Sequence, residues 1–149
     1  MALHAVRNVM SGMPVAPMGH GNSAAAIVKG CAVYRVVGDG DITTLSVTTA
    51  KILGFAAEAA TAADEDIKVY LGYPGIQFKL DFTGTYAVTL LGTYVDLANT
   101  SGIPVANLDA SSYDHLKLIE VVDNDSTAGI YTAWFELGET SNQNIIVVA

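Results

Sequence analysis

Apolar and polar residues alternate along much of the chain, and alternation with a period of two predicts β-strands. The clearest example is the run 76–82, where apolar residues at even positions would face a core and polar residues at odd positions would face solvent. The run 31–37 is different because both of its alternating faces are mostly apolar. We therefore expect this strand to be covered on both sides.

Other runs rich in β-branched and aromatic residues predict further short strands, separated by turns that contain glycine or proline. These predicted strands lie at 42–49, 51–58, 67–71, 86–91, 93–97, 116–123, 130–137 and 144–148, whereas 98–114 is predicted to be a loop. Short strands with a turn roughly every 8–12 residues are typical of a sandwich or a barrel. The predicted fold is therefore all-β, with a single small β-barrel or β-sandwich domain at 30–149.

The first 29 residues have a different composition, which predicts an extended N-terminal arm. They contain all four methionines, two of the four prolines and no acidic residue. Prolines at 14 and 17 favour an extended chain, and the segment is too short to build a core of its own. Because it is apolar, we expect it to become ordered by lying on a neighbouring molecule; the alternative is a disordered terminus.

Charge excludes two classes of partner. The chain carries 7 basic and 15 acidic residues, for a net charge of −8, and the basic residues are spread singly. Without a basic stripe, neither nucleic acid nor an anionic membrane surface is an expected partner. Charged residues make up only 15% of the chain, below the usual share of about 25%, which favours an oligomer or a surface covered by a partner.

No motif predicts catalysis, a cofactor or a metal. The three histidines lack the spacing of zinc ligands, and no nucleophile elbow occurs. Cys31 lies within an apolar run, which predicts a buried thiol. The acidic run 64–66 is interpreted as a solvated turn. The turn at 123–129 begins like a calcium loop but has Ala128 where the loop needs glycine. We therefore expect no enzyme activity. Asp81 and Asp96 could form a carboxylate pair only if their two strands lie side by side.

The chain shows neither a secretory signal nor a long apolar run. We therefore expect it to be made and used in a reducing cytoplasm, or carried out of it by a route other than secretion. The aromatic residues Tyr131, Trp134 and Phe135 fall on one predicted strand, with Trp134 and Phe135 on opposite faces. Core packing together with one covered outer face accounts for this arrangement, and a carbohydrate-binding platform is the alternative.

One long stretch resembles the N-terminal part of small capsid decoration (cement) proteins of tailed phages. Its sequence is GCAVYRVVGDGDITTLSVTTAKILGFAAEAATAADEDIKVYLG. In that family an opening strand, a glycine turn, a strand rich in threonine and alanine, an I-L-G-F-A step, an acidic turn and a further strand follow one another. In this chain those features fall at 33–37, 38–40, 43–49, 52–56, 64–66 and 67–69. The similarity continues through LGTYVDL and LKLIEVVD to about residue 137.

The resemblance implies a β-tulip-like domain that forms homotrimers on the outer surface of an icosahedral capsid of the HK97-like type. The trimers would clamp neighbouring major capsid subunits after the shell expands, in virions assembled in the host cytoplasm. Within the arm we expect capsid contacts from its apolar side chains, namely Val6, Val9, Met10, Met13, Val15 and Met18. The alternative function is a carbohydrate- or receptor-binding β-sandwich module of a virion or tail.

Overall fold

The computed structural model describes residues 3–10, 15–17, 19–46, 49 and 51–144 of the 149-residue chain. This part of the chain is all-β, which confirms the predicted fold class, and its only helical turn is a 3-10 turn at Val88–Leu90. The strands are β1 (Ala5–Asn8), β2 (Gly19–Asn22), β3 (Ala32–Arg35), β4 (Ile42–Thr44), β5 (Gly54–Ala56), β6 (Asp66–Leu71), β7 (Ile76–Thr83), β8 (Tyr94–Thr100), β9 (Ile103–Asn107), β10 (Leu116–Asp125) and β11 (Ile130–Leu137).

The first sheet closes into a five-stranded barrel. Its strands pair in the order β7-β11-β10-β8-β9, and β9 returns to pair in parallel with the end of β7 at Asp81–Thr83. β1 pairs with Ile76–Lys79, nearer the start of β7. β1 and β9 therefore share one edge of β7, one after the other, while β11 covers the opposite edge. Closure of this kind removes exposed strand edges.

The second sheet has the order β2-β6-β5-β3-β4, and all its named pairings are antiparallel. An isolated bridge between Ser23 and Ile42 also brings its outer strands together. The prediction that both faces of the strand at 31–37 are covered is correct. Cys31 and Val33 enter a small core inside this sheet, whereas Ala32 and Tyr34 pack into a larger core shared with the first sheet.

The larger core joins the two sheets through aromatic side chains. Phe55 of β5 and Phe78 of β7 are both fully buried, with ring centroids 4.5 Å apart. Asn99 of β8 adds a polar connection: its amide nitrogen donates to the carbonyl oxygens of Ala32 and Leu45, and its amide oxygen accepts from the Ala32 N–H, all at 2.9 Å. The two sheets are thus held together by both packing and hydrogen bonds.

The region predicted as a loop at 98–114 is the main error in the sequence prediction. β8 continues to Thr100, and β9 runs back from Ile103 to Asn107. Ser101 and Gly102 both have positive φ, which suits the tight turn of a two-residue hairpin. The sequence prediction missed this hairpin because the proline at position 104 and the small polar residues are typical of a loop. The ladder of the hairpin is formed by the residues on each side of the turn at Ser101 and Gly102.

Two other predicted strands differ in detail. The run 86–91 contains the 3-10 turn instead of a strand. Tyr86 and Leu90 pack on the larger core, whereas Val88 between them is 71% exposed, so the run does not have the period of two of a strand. In β10, register shifts after Leu118 and after Val121 break the predicted alternation. Val121 therefore packs on the core, and its neighbour at 122 is exposed.

The described part of the N-terminal segment contains two strands. β1 belongs to the first sheet and β2 to the second, and Ile27 is buried in the small core. Residues 1–2, 11–14 and 18 lie outside the described residues, so the arm as a whole and its boundary at residue 29 stay predictions. The same holds for the predicted strand at 144–148, where only Asn144 is described, and for part of 42–49, where β4 ends at Thr44.

Candidate interaction surface

Arg7 fastens β1 to the outer face of the barrel. Its guanidinium carbon lies 3.9 Å from the centroid of the Trp134 ring, a cation–π contact. Arg7 Nε donates to Gln77 Oε1 at 2.8 Å, and Nη2 donates to Glu120 Oε2 at 3.1 Å. One side chain on β1 therefore binds β7, β10 and β11 together. This contact also explains why Gln77, predicted to face solvent, is buried.

Both ends of β1 are held as well. At its start, the His4 N–H donates to the Lys79 carbonyl at 3.0 Å, and His4 Nε2 lies 2.7 Å from Asp81 Oδ1. At its end, the Val9 N–H donates to the Gly75 carbonyl at 3.0 Å. The strand is short, but these contacts fix its position on the barrel.

The residues that follow β1 expose large apolar side chains. Val9 is 52% exposed and Met10 is 82% exposed, although Met10 also lies against the backbone of Gly75. Of the other predicted contact residues, Val6 packs against the larger core and Val15 is half-buried. Met13 and Met18 lie outside the described residues. The predicted contact set therefore divides into an inward-facing Val6 and an outward-facing pair, Val9 and Met10.

A groove of about 490 Å³ separates β1 from the second sheet. We call it the inter-sheet groove, and it is lined by Leu3, His4, Ala5, Val6, Val15, Lys29, Gly30, Ala56 and Tyr70. Most of these side chains are apolar, and Lys29 and His4 supply the only basic groups among them. The sequence prediction included Val6 and Val15 but missed Lys29 and Tyr70, because nothing in the linear pattern places β6 beside β1.

The buried polar groups within the described residues have structural roles. Asp96 accepts backbone N–H groups from Ser112, Tyr113 and Asp114 at 2.7–3.0 Å, and so orders the loop before β10. His115 is fully buried; its Nδ1 accepts from the Leu97 N–H at 2.9 Å, and its Nε2 contacts the Thr49 carbonyl.

The suggested carboxylate pair of Asp81 and Asp96 does not form a shared site. Asp81 pairs with His4, whereas Asp96 binds the backbone N–H groups described above. Among the described residues, no group of three or more histidine, cysteine or acidic side chains could hold a metal ion.

Among the described residues, two titratable groups have shifted pKa values with clear causes. Burial raises the pKa of the Cys31 thiol, and a weak contact with the Thr44 hydroxyl at 3.9 Å opposes this only in part. The thiol is therefore protonated and buried, as predicted from its apolar neighbours. The Thr61 hydroxyl and N–H, at 2.6 and 2.8 Å, lower the pKa of Glu65, which lies in the acidic turn before β6.

The aromatic residues on β11 do not share an exposed face. Phe135 is fully buried, and Tyr131 packs edge-on against Phe82 at a centroid distance of 5.7 Å. Trp134 lies on the outer face, where Arg7 covers its ring. The three side chains thus have three different environments, which agrees with core packing and one covered outer face.

In comparisons with known proteins, no protein-family model, curated protein or solved structure matches the chain. Within the described residues, no helix is long and apolar enough to cross a membrane. The functional argument therefore depends on the surface geometry and on the sequence resemblance.

Proposed function

We propose that this protein is a structural virion protein that binds the outer surface of an icosahedral capsid as a homotrimer. In this role it stabilises the expanded shell by clamping neighbouring major capsid subunits, after assembly in the host cytoplasm. The observation that carries the proposal is the exposed pair Val9 and Met10, which follows a strand fixed to the barrel by Arg7. Apolar side chains held in place by a rigid scaffold are typical of a binding surface.

Three further features support a structural role. The sequence resembles capsid decoration proteins from about residue 30 to residue 137. In addition, the buried polar groups Asp96 and His115 are occupied by backbone hydrogen bonds, so neither is directed into an open pocket. The net charge of −8 suits a position on the outer face, away from packaged nucleic acid.

The test is co-sedimentation with expanded, undecorated capsids, after light scattering has measured the oligomeric state. Deleting residues 2–20 would be a poor variant, because it removes β1 and the start of β2. We expect Val9→Asp combined with Met10→Asp to weaken capsid binding by more than tenfold, since each buried apolar side chain contributes about 1.5–3 kcal/mol. The double variant should still form a trimer.

Val37→Asp is the matched control, because Val37 is 90% exposed in the turn between β3 and β4. It should bind capsids like the unmodified protein. Unchanged binding by the Val9/Met10 variant would contradict the assigned surface. A monomer that ignores capsids would contradict the function itself and favour the carbohydrate- or receptor-binding module.

A further inference from the structure

The inter-sheet groove has the composition of a ligand pocket. At about 490 Å³ it falls within the usual range of roughly 300–1,000 Å³ for small-molecule sites. Such sites are mainly apolar, contain few polar groups and often lie between two structural units. The groove lies where β1 of the first sheet approaches β5 and β6 of the second, so both sheets contribute to its walls.

The charges around the groove favour an anion. Among the described residues that line it, Lys29 and His4 are basic and none carries a carboxylate. His4 Nε2 is already paired with Asp81 at 2.7 Å, which leaves the exposed Lys29 ammonium as the available cation. The chain as a whole carries a net charge of −8, whereas the charged group available at the rim of this apolar groove is a lysine.

We propose that the inter-sheet groove binds a single-chain carboxylate, such as a free medium-chain fatty acid. The apolar chain lies between β1 and Tyr70, and the carboxylate pairs with Lys29. The size agrees with this ligand class: a volume of 490 Å³ holds roughly sixteen groups that each take about 30 Å³, and decanoate has about a dozen non-hydrogen atoms.

This proposal is independent of the capsid proposal. The groove lies on the side of β1 that faces the second sheet, whereas Val9 and Met10 follow the end of the strand. A protein that binds capsids without binding decanoate would overturn only the ligand proposal, and the opposite result would overturn only the capsid proposal.

The first measurement is isothermal titration calorimetry of the full chain with octanoate and decanoate. Decanoate should bind with about one-to-one stoichiometry. Its Kd should be about tenfold lower than that of octanoate, because two more methylenes are removed from water. Absence of saturable decanoate binding, or equal affinity for the two lengths, would overturn the proposal.

Two variants locate the ligand. Val15→Phe enlarges a side chain that lines the groove and should weaken decanoate binding more than tenfold, while Val37→Phe in the exposed turn between β3 and β4 should not. Thermal unfolding checks that Val15→Phe is folded, and Val15→Met takes its place if it is not. If groove-filling variants that are folded bind decanoate normally, the ligand lies elsewhere and the proposal is wrong.

The charge is tested with a neutral ligand of the same length. Lys29→Gln should weaken decanoate binding about threefold and leave 1-decanol binding unchanged, since an exposed ion pair changes affinity by only a few-fold. Lys68→Gln, at an exposed lysine on β6, is the matched control. Equal effects of Lys29→Gln on the acid and the alcohol would overturn the assigned role of Lys29.

Discussion

The two sheets contribute unequally to the two hydrophobic cores of this protein. The larger core takes side chains from both sheets, including four buried phenylalanines. The small core lies inside the second sheet, and none of its buried members is aromatic. The second sheet therefore completes the larger core through Ala32 and Phe55, whereas the first sheet adds nothing to the small core. A change on the shared face should therefore affect the barrel more strongly than an equivalent change in the small core.

Phe55→Ala tests this inequality most directly. Phe55 is fully buried and contacts Phe78 across the junction of the sheets, so its removal should lower the free energy of unfolding by about 3–5 kcal/mol. Urea unfolding followed by the fluorescence of Trp134, the single tryptophan, measures the change on the barrel side. The matched comparison is Ile52→Val in the larger core against Ile67→Val in the small core, since both isoleucines are buried. Ile52→Val should cost about 1.5 kcal/mol and Ile67→Val about 0.5 kcal/mol. Equal costs of these two substitutions would contradict the inequality.

Asn99→Ala removes the polar connection between the sheets. It leaves the Ala32 N–H and the Leu45 carbonyl without this partner, whereas the Ala32 carbonyl still accepts from the Leu45 N–H at 3.0 Å. Each unsatisfied buried group costs about 1–3 kcal/mol, and the half-buried position of Asn99 favours the lower end of that range. We expect a total loss of about 2–3 kcal/mol, measured by thermal unfolding with circular dichroism. Asn124→Ala, at an exposed position in β10, should stay within about 0.5 kcal/mol. Equal effects of the two substitutions would show that Asn99 contributes no more than a surface amide.

Arg7→Ala should have a smaller effect, because β1 lies at the edge of the barrel. Loss of the Trp134 stacking and of the bonds to Gln77 and Glu120 should cost about 1–2 kcal/mol. Arg7→Lys should recover little of this, because an ammonium cannot stack and bind both acceptors at once. Urea unfolding measures both variants. Full recovery by lysine would indicate that charge alone holds β1.

The sequence predicted the fold best where the alternation of apolar and polar residues along a strand matches the burial of its two faces. The pattern at 76–82 predicted β7 correctly, and the two apolar faces of 31–37 indicated a strand between two cores. The β8–β9 hairpin was missed because the proline and the polar turn residues outweighed a weak alternation. The bulges of β10 were also missed, since a register shift depends on the partner strand and leaves no local signal.

The candidate surface was only partly predictable for the same reason. The apolar character of Val9 and Met10 is visible in the sequence, and so is their separation from the predicted barrel. The contacts of Arg7 with Gln77, Glu120 and Trp134 join residues more than 60 positions apart, so no local pattern reports them. Long-range pairing, which creates both the anchor of β1 and the inter-sheet groove, was therefore the missing information.

The smallest expected effect is at Glu65, beside the small core. Its pKa is lowered in the folded state by the hydroxyl and N–H of Thr61, so its contribution to stability is present above the unfolded pKa. That contribution is lost as the pH falls through the lower, folded pKa. We therefore expect Glu65→Gln to lower the melting temperature slightly at pH 7 and to have no effect at pH 2. Thermal unfolding across this range measures the difference, with Glu58→Gln as the control. A difference that persists unchanged at pH 2 would show that Glu65 acts without its charge, because protonation would have removed a charge-dependent contribution.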